Sequence, residues 1–189
     1  MNPLQLAASE MVYSTSNPES ISGMIHQQPV AAGIIEVETQ EGATVEGLAS
    51  LLVALSSALT HLYIQSHLIH LNVEGPLFLP VHEFLKGQYE AHIEQFDKTA
   101  EFVRTLDVFM PMCEKGLLSS CKPFKHVKSY ECRDMLLTYL KNLEDIGMQA
   151  KDVGQYAKEL KAPDVENYMG ELVGELFKAA WFIKSTLRG

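Results

Sequence analysis

Past Thr44 the apolar positions of this chain fall into four stripes with helical period. Leu48, Leu51, Leu52, Leu55, Leu59 and Leu62 recur within one turn of each other, and Ile69 continues the stripe two turns on. Thr44 reads as an N-cap with an early acid at Glu46, so a first helix is expected over 45–72. The run Asn72–Val73–Glu74–Gly75–Pro76 ends it. A second helix is expected from about Pro80, a favoured first-turn residue, to about Leu106, on Val81, Phe84, Leu85, Tyr89, Ile93, Phe96, Ala100 and Val103. Pro111, Gly116 and Pro123 make 107–126 a long connection with room for one short helix.

A third helix is expected over 127–160 on Met135, Leu136, Tyr139, Leu140, Leu143, Ile146, Ala150, Val153 and Ala157. Pro163 breaks it. A fourth follows over 164–187 on Val165, Tyr168, Met169, Leu172, Leu176, Ala179, Ala180 and Ile183. Short first and third links suit antiparallel neighbours, and a long middle link suits a crossover. The fold class is therefore all-α: a four-helix bundle with a long crossover between its second and third helices.

Residues 1–43 keep no period. They mix Ser, Asn, Gln, Gly and Pro with scattered apolar residues and are expected to form a tail ahead of a helical domain over 44–189. The run from Val30 to Ile35 is apolar enough to pin part of that tail, as a short strand or a helical turn. The apolar stretch from Leu48 to Leu71 is interrupted by Ser, Thr, Gln and His, so no uninterrupted run reaches the roughly 18 residues of a bilayer span. The first residues lack the basic and apolar regions of a secretory signal. A soluble, cytoplasmic chain is expected.

Charge changes this picture by its distribution. The net charge is −9, and the first Lys or Arg is Lys86. Eight acids and no base precede it, while the rest of the chain is near balance. Such a front half repels nucleic acid and attracts cations, or serves solubility alone. The three cysteines, Cys113, Cys121 and Cys132, are too sparse for a disulfide framework. With His126 they match no compact zinc spacing.

Candidate ligands lie close to two of the stripes. His67 and His70 end the first helix, and His82 opens the second with Glu83 beside it. Asp97 and Glu101 follow four apart, on one helix face. His82 and Asp97 are about four turns apart, roughly 22 Å, too far to share a metal within one subunit. If they share one, two subunits supply it. Taken alone, the acid pair reads more readily as a solvated face.

The segment from His70 through Asn72, Gly75, His82 and Glu83 resembles the His-x-Asn-x-x-Gly…His-Glu signature of the Dps family of mini-ferritins. Phe96–Asp97–Lys98–Thr99–Ala100–Glu101 is similar to that family's Asp-x-x-Ala-Glu, and Ala180–Trp181–Phe182–Ile183–Lys184–Ser185 to its last-helix Trp-Phe segment. The resemblance spans about 45–187. It implies a ferritin-like bundle assembled into a hollow shell of twelve identical subunits. Ferroxidase centres would lie at two-fold interfaces, with His70 and His82 from one chain and Asp97 and Glu101 from the other. Fe(II) would be oxidised there, typically by hydrogen peroxide, and stored as ferric mineral. Zinc or manganese would suit the same ligands.

One implied ligand is absent. Where the family has an aspartate four residues after the second histidine, this chain has Lys86, whose ammonium has no lone pair to give. The resemblance then implies a retained first iron site and an impaired second one. The alternatives are a Lys86 that points to solvent and changes little, or a non-catalytic cage of the same fold. Many family members have Trp where this chain has Leu71. The base-free front segment implies weak or absent DNA binding, since phosphate neutralisation supplies that affinity. Glu159, Asp164 and Glu166, around the third turn, are candidates for an acidic pore or an ordinary solvated turn.

Overall fold

The computed structural model describes residues 42–121 and 123–188. The expectations for residues 1–41, including the Val30–Ile35 run, lie outside them. Five helices follow in order: α1 (Val45–Asn72), α2 (Phe78–Thr105), α3 (Glu114–Leu118), α4 (Cys132–Glu159) and α5 (Pro163–Thr186). There is no strand among the described residues. The long α1 and α2 form one hairpin, α4 and α5 another, and α1 packs across α4 to join them. The short α3 lies in the crossover and touches α1.

The sequence pattern explains most of these limits. Thr44 Oγ1 accepts the Gly47 N–H at 3.0 Å, and α1 runs over the expected span. Gly75 turns the first hairpin at φ +87°, a conformation that glycine adopts without a Cβ clash. Pro163 opens α5 at its first position, where no N–H is needed. Two starts differ from expectation. The second helix begins at Phe78, because a first-turn proline such as Pro80 interrupts no backbone bond, and Val81 N–H already reaches Leu77 O at 3.1 Å. The third begins at Cys132 rather than 127. Ser129 Oγ takes the Glu131 N–H at 3.1 Å, holding the entry in a turn.

Every expected core position of α4 and α5 is buried, as are six of the leucines and isoleucine that stripe α1. Each such Leu, Ile or Val contributes about 1.5–3 kcal/mol of burial. By length and composition α1 could cross a membrane, with a mean hydropathy of 1.6 over its most apolar window. Here its leucines face α2 and α4. The α2 stripe is rotated from expectation. Ile93 is 46% exposed, and the inward positions hold His92, Gln95 and Thr99 between the apolar Leu85 and Val103.

Polar side chains of α1 and α4 fasten the crossover. Gln65 Nε2 and Asn142 Nδ2 both donate to Lys125 O, at 2.8 and 2.7 Å. Asn142 Oδ1 accepts the Lys125 N–H at 3.1 Å, and Asn142 Nδ2 also donates to Gln65 Oε1 at 2.9 Å. Further back, His61 Nε2 and Leu118 O meet at 3.2 Å, and the His61 ring stacks on Phe124 at 4.9 Å.

Candidate metal centre

The bend between α1 and α2 brings His70 and His82 together. Their rings stack at 3.7 Å between centroids, inclined by only 22°. His70 Nδ1 lies 2.8 Å from His82 O, and His82 Nδ1 lies 2.9 Å from His70 O. A carbonyl only accepts, so both Nδ1 atoms carry the proton. Each Nε2 is then left with a lone pair, the form in which imidazole binds a metal. This reciprocal clasp holds both ring planes and sets both tautomers. His70 is buried and His82 half-buried.

Aromatic neighbours frame the pair. Tyr89 stands edge-on to His70 at 5.3 Å and stacks on His67 at 4.2 Å, and Phe78 lies 5.0 Å from His82. His67 is 6.0 Å from His70. Lys86 is exposed, and among the described residues it forms no ion pair.

Asp97 and Glu101 are exposed on the same unbroken α2, about four and five turns beyond His82. One chain therefore does not bring the four candidate ligands together. Among the described residues no three His, Cys, Asp or Glu side chains gather around one point. The cysteines are free: Cys113 is exposed and its Sγ caps α3 from Gly116 N–H at 3.3 Å, and Cys121 and Cys132 are half-buried. Burial raises the Cys121 thiol to about 11, an unreactive state. Glu159 and Asp164 are exposed beside the α4–α5 turn, and Glu166 is half-buried in the first turn of α5.

A second histidine site was not singled out by the sequence pattern. His92 is 1% exposed, and both its ring nitrogens are engaged. Nε2 meets the Tyr139 hydroxyl at 2.6 Å, and Nδ1 meets Gln95 Oε1 at 2.7 Å. Gln95 Nε2 donates to Glu175 Oε2 at 2.8 Å, and Glu175 is exposed on α5. Tyr168 OH and Thr99 Oγ1 both donate to Gln95 O, at 3.3 and 2.7 Å. A cleft of about 390 Å³ opens over this chain where α2 and α5 part, with Glu171 and Phe182 in its walls. Burial lowers His92 to about 4, so the ring is neutral near pH 7. The readable signal was spacing: His92, Gln95 and Thr99 fall on the turn positions between Leu85 and Val103.

Two helical hairpins joined by a long crossover, with a histidine clasp at one bend, define a ferritin-like bundle. The family model for the ferritin-like domain matches residues 49–189, and the chain belongs to the ferritin-like family. Its fold is that of the Dps proteins. A Dps protein from Bacillus brevis superposes with a TM-score of 0.73 at 20% identity, over 78% of this chain and 99% of that one. CAIP from Helicobacter cinaedi gives 0.69 at 26% identity, over 74% and 99%. The Dps protein of Vibrio cholerae, described as a member of a broad superfamily of ferritin-like diiron-carboxylate proteins, gives 0.71 at 21%, over 76% and 90%. Comparison with curated protein sequences gives no match.

Proposed function

We propose that the protein is a Dps-like mini-ferritin that binds Fe(II) at sites shared between two copies of the chain, oxidises it and holds the ferric product in a homo-oligomeric cage. The observation that carries this reading is the clasp of His70 and His82, in which each Nδ1 is tied to a backbone carbonyl and each Nε2 is left over. Asp97 and Glu101 supply the hard oxygen ligands that complete an iron site, and the length of α2 requires them to come from a second copy. The surface around the clasp suits such a contact: Leu68, Leu71, Phe78 and Leu79 are exposed apolar side chains on the same bend. The family resemblance supplies twelve as the subunit number and hydrogen peroxide as the oxidant.

Lys86 sets the finer form of the reading. One turn beyond His82, it places a fixed positive charge where a second iron would need an anion. His70 with the partner copy's two acids then makes the working site, and the site at His82 is impaired. Stopped-flow oxidation of Fe(II) by peroxide, on the wild type and on Lys86→Asp, tests this. The variant is expected to be faster by about tenfold, the scale of one displaced charge near an ion. A wild type as fast as the variant overturns the impairment. A protein that oxidises no faster than buffer leaves the fold as a structural cage. Native mass spectrometry counts the subunits, and a gel shift at low salt is expected to show no tight DNA complex. Zinc and manganese are expected to compete with iron for the same ligands, and Glu159, Asp164 and Glu166 are the acids proposed to line an entry pore.

A further inference from the structure

The buried hydrogen-bonded chain through His92 is an arrangement that packing alone does not require. Its direction can be read from its ends. Gln95 Nε2 donates to the Glu175 carboxylate, so Gln95 Oε1 faces His92 and can only accept. His92 Nδ1 therefore carries the ring proton, and Nε2 accepts from the Tyr139 hydroxyl. At 2.6 Å that bond is short for a neutral donor and acceptor. Tyr139 is 0% exposed and His92 1%, with α1, α2, α4 and α5 closing around them.

We propose that Tyr139 and His92 form a redox pair, in which Tyr139 gives one electron to a strong one-electron oxidant while its phenolic proton moves to His92 Nε2. The oxidant class is the hydroxyl radical, which forms when one ferrous ion passes one electron to hydrogen peroxide. Only this source rests on the iron reading above. The step balances. The electron reduces the hydroxyl radical to hydroxide, which takes a proton from solvent and becomes water. The phenolic O–H bond breaks, an N–H bond forms on His92, and a neutral phenoxyl radical stays on Tyr139. A second ferrous ion returns the electron, and the proton moves back to the phenol.

Three features suit the pair to this work. Burial pushes the Tyr139 phenol up, so it is not deprotonated in advance, and loss of an electron must be coupled to loss of the proton. Burial also keeps His92 neutral, with its Nε2 lone pair ready. The sealed core keeps a phenoxyl radical from coupling to a second radical. Along α2, His92 stands about 15 Å beyond His82. A radical generated at the iron site would then be held inside the bundle instead of leaving the protein.

The test uses the full chain without iron. Photogenerated ruthenium(III) tris-bipyridyl serves as the one-electron oxidant, and the radical is followed by its phenoxyl absorbance and by electron paramagnetic resonance. Exposed tyrosines such as Tyr130 are expected to give short-lived signals, and Tyr139 a long-lived one. Tyr139→Phe is expected to abolish the long-lived signal. His92→Gln keeps an acceptor for the phenol but removes the base. A positioned base contributes about 10²–10⁴-fold, so formation of that signal should slow at least tenfold. Circular dichroism checks that both variants fold. A long-lived signal that survives unchanged in Tyr139→Phe, or forms equally fast in His92→Gln, overturns the proposal. Photo-oxidation needs no iron, so either result leaves the iron reading standing, and a failure of iron oxidation leaves this one standing.

Discussion

The histidine clasp at the α1–α2 bend and the buried His92 use the same side chain in opposite ways. In the clasp each Nδ1 is tied to a backbone carbonyl and each Nε2 is left over. At His92 both nitrogens are spent, one on Tyr139 and one on Gln95. The first arrangement leaves donors for an added ligand. The second satisfies the ring inside the core, where an unpaired polar group would cost about 1–3 kcal/mol. A histidine's neighbours, more than its depth, decide which of these it becomes: His70 is itself 8% exposed.

The largest expected way to break the comparison is acid. His92 binds its proton near pH 4 in the folded chain and near 6.5 when unfolded. Between those values the unfolded chain holds more protons, so stability is full above about 6.5 and is lost as pH falls toward 4. The full drop is roughly 3 kcal/mol from this group. Urea unfolding across that range should show it, and His92→Gln should flatten it. An equally steep loss in the variant would assign the slope to other groups.

Somewhat smaller is the expected effect at the clasp. Removing a partner of a metal ligand lowers affinity about 10–100-fold, so His70→Ala, which removes the ligand, should lower Fe(II) affinity at least 100-fold. Anaerobic titration calorimetry measures it. His92→Gln should leave that affinity within about threefold, the usual scatter of such contributions between contexts; a loss matching that of His70→Ala would erase the distinction between the two sites. The smallest effect belongs to the bend. Gly75→Ala forces a Cβ into φ +87°, with nothing else within 4 Å, and should destabilise by about 1–2 kcal/mol. If the clasp depends on that bend, the stacked rings should loosen, visible as faster hydrogen exchange at His82.

The bundle was legible because burial in α1, α4 and α5 follows an apolar stripe that a sequence displays directly. The first hairpin's histidines were legible through the resemblance of the segment from His70 to Glu83 to the Dps signature. The polar centre of α2 was less so. Its inward face carries residues that look solvated when read alone, and Ile93 beside them looks like core. What reverses the two is a set of partners on other helices, Tyr139, Tyr168 and Glu175, whose distance in sequence hides the contact. The entry to α4 was missed for a related reason: Lys125 is anchored by Gln65 and Asn142, both distant in sequence, and Ser129 Oγ takes the Glu131 N–H just ahead of the helix.

That anchor has a kinetic meaning. Each hairpin contains mostly local contacts and can form quickly, whereas joining them requires closing the long crossover loop, whose entropy is lost before any contact rewards it. The bonds of Gln65 to Lys125 O and to Asn142 exist only once α1 and α4 are already side by side. Interactions made after the rate-limiting step slow unfolding more than they speed folding. The polar latch therefore acts as a lock on the finished bundle, lengthening its life without hastening its birth.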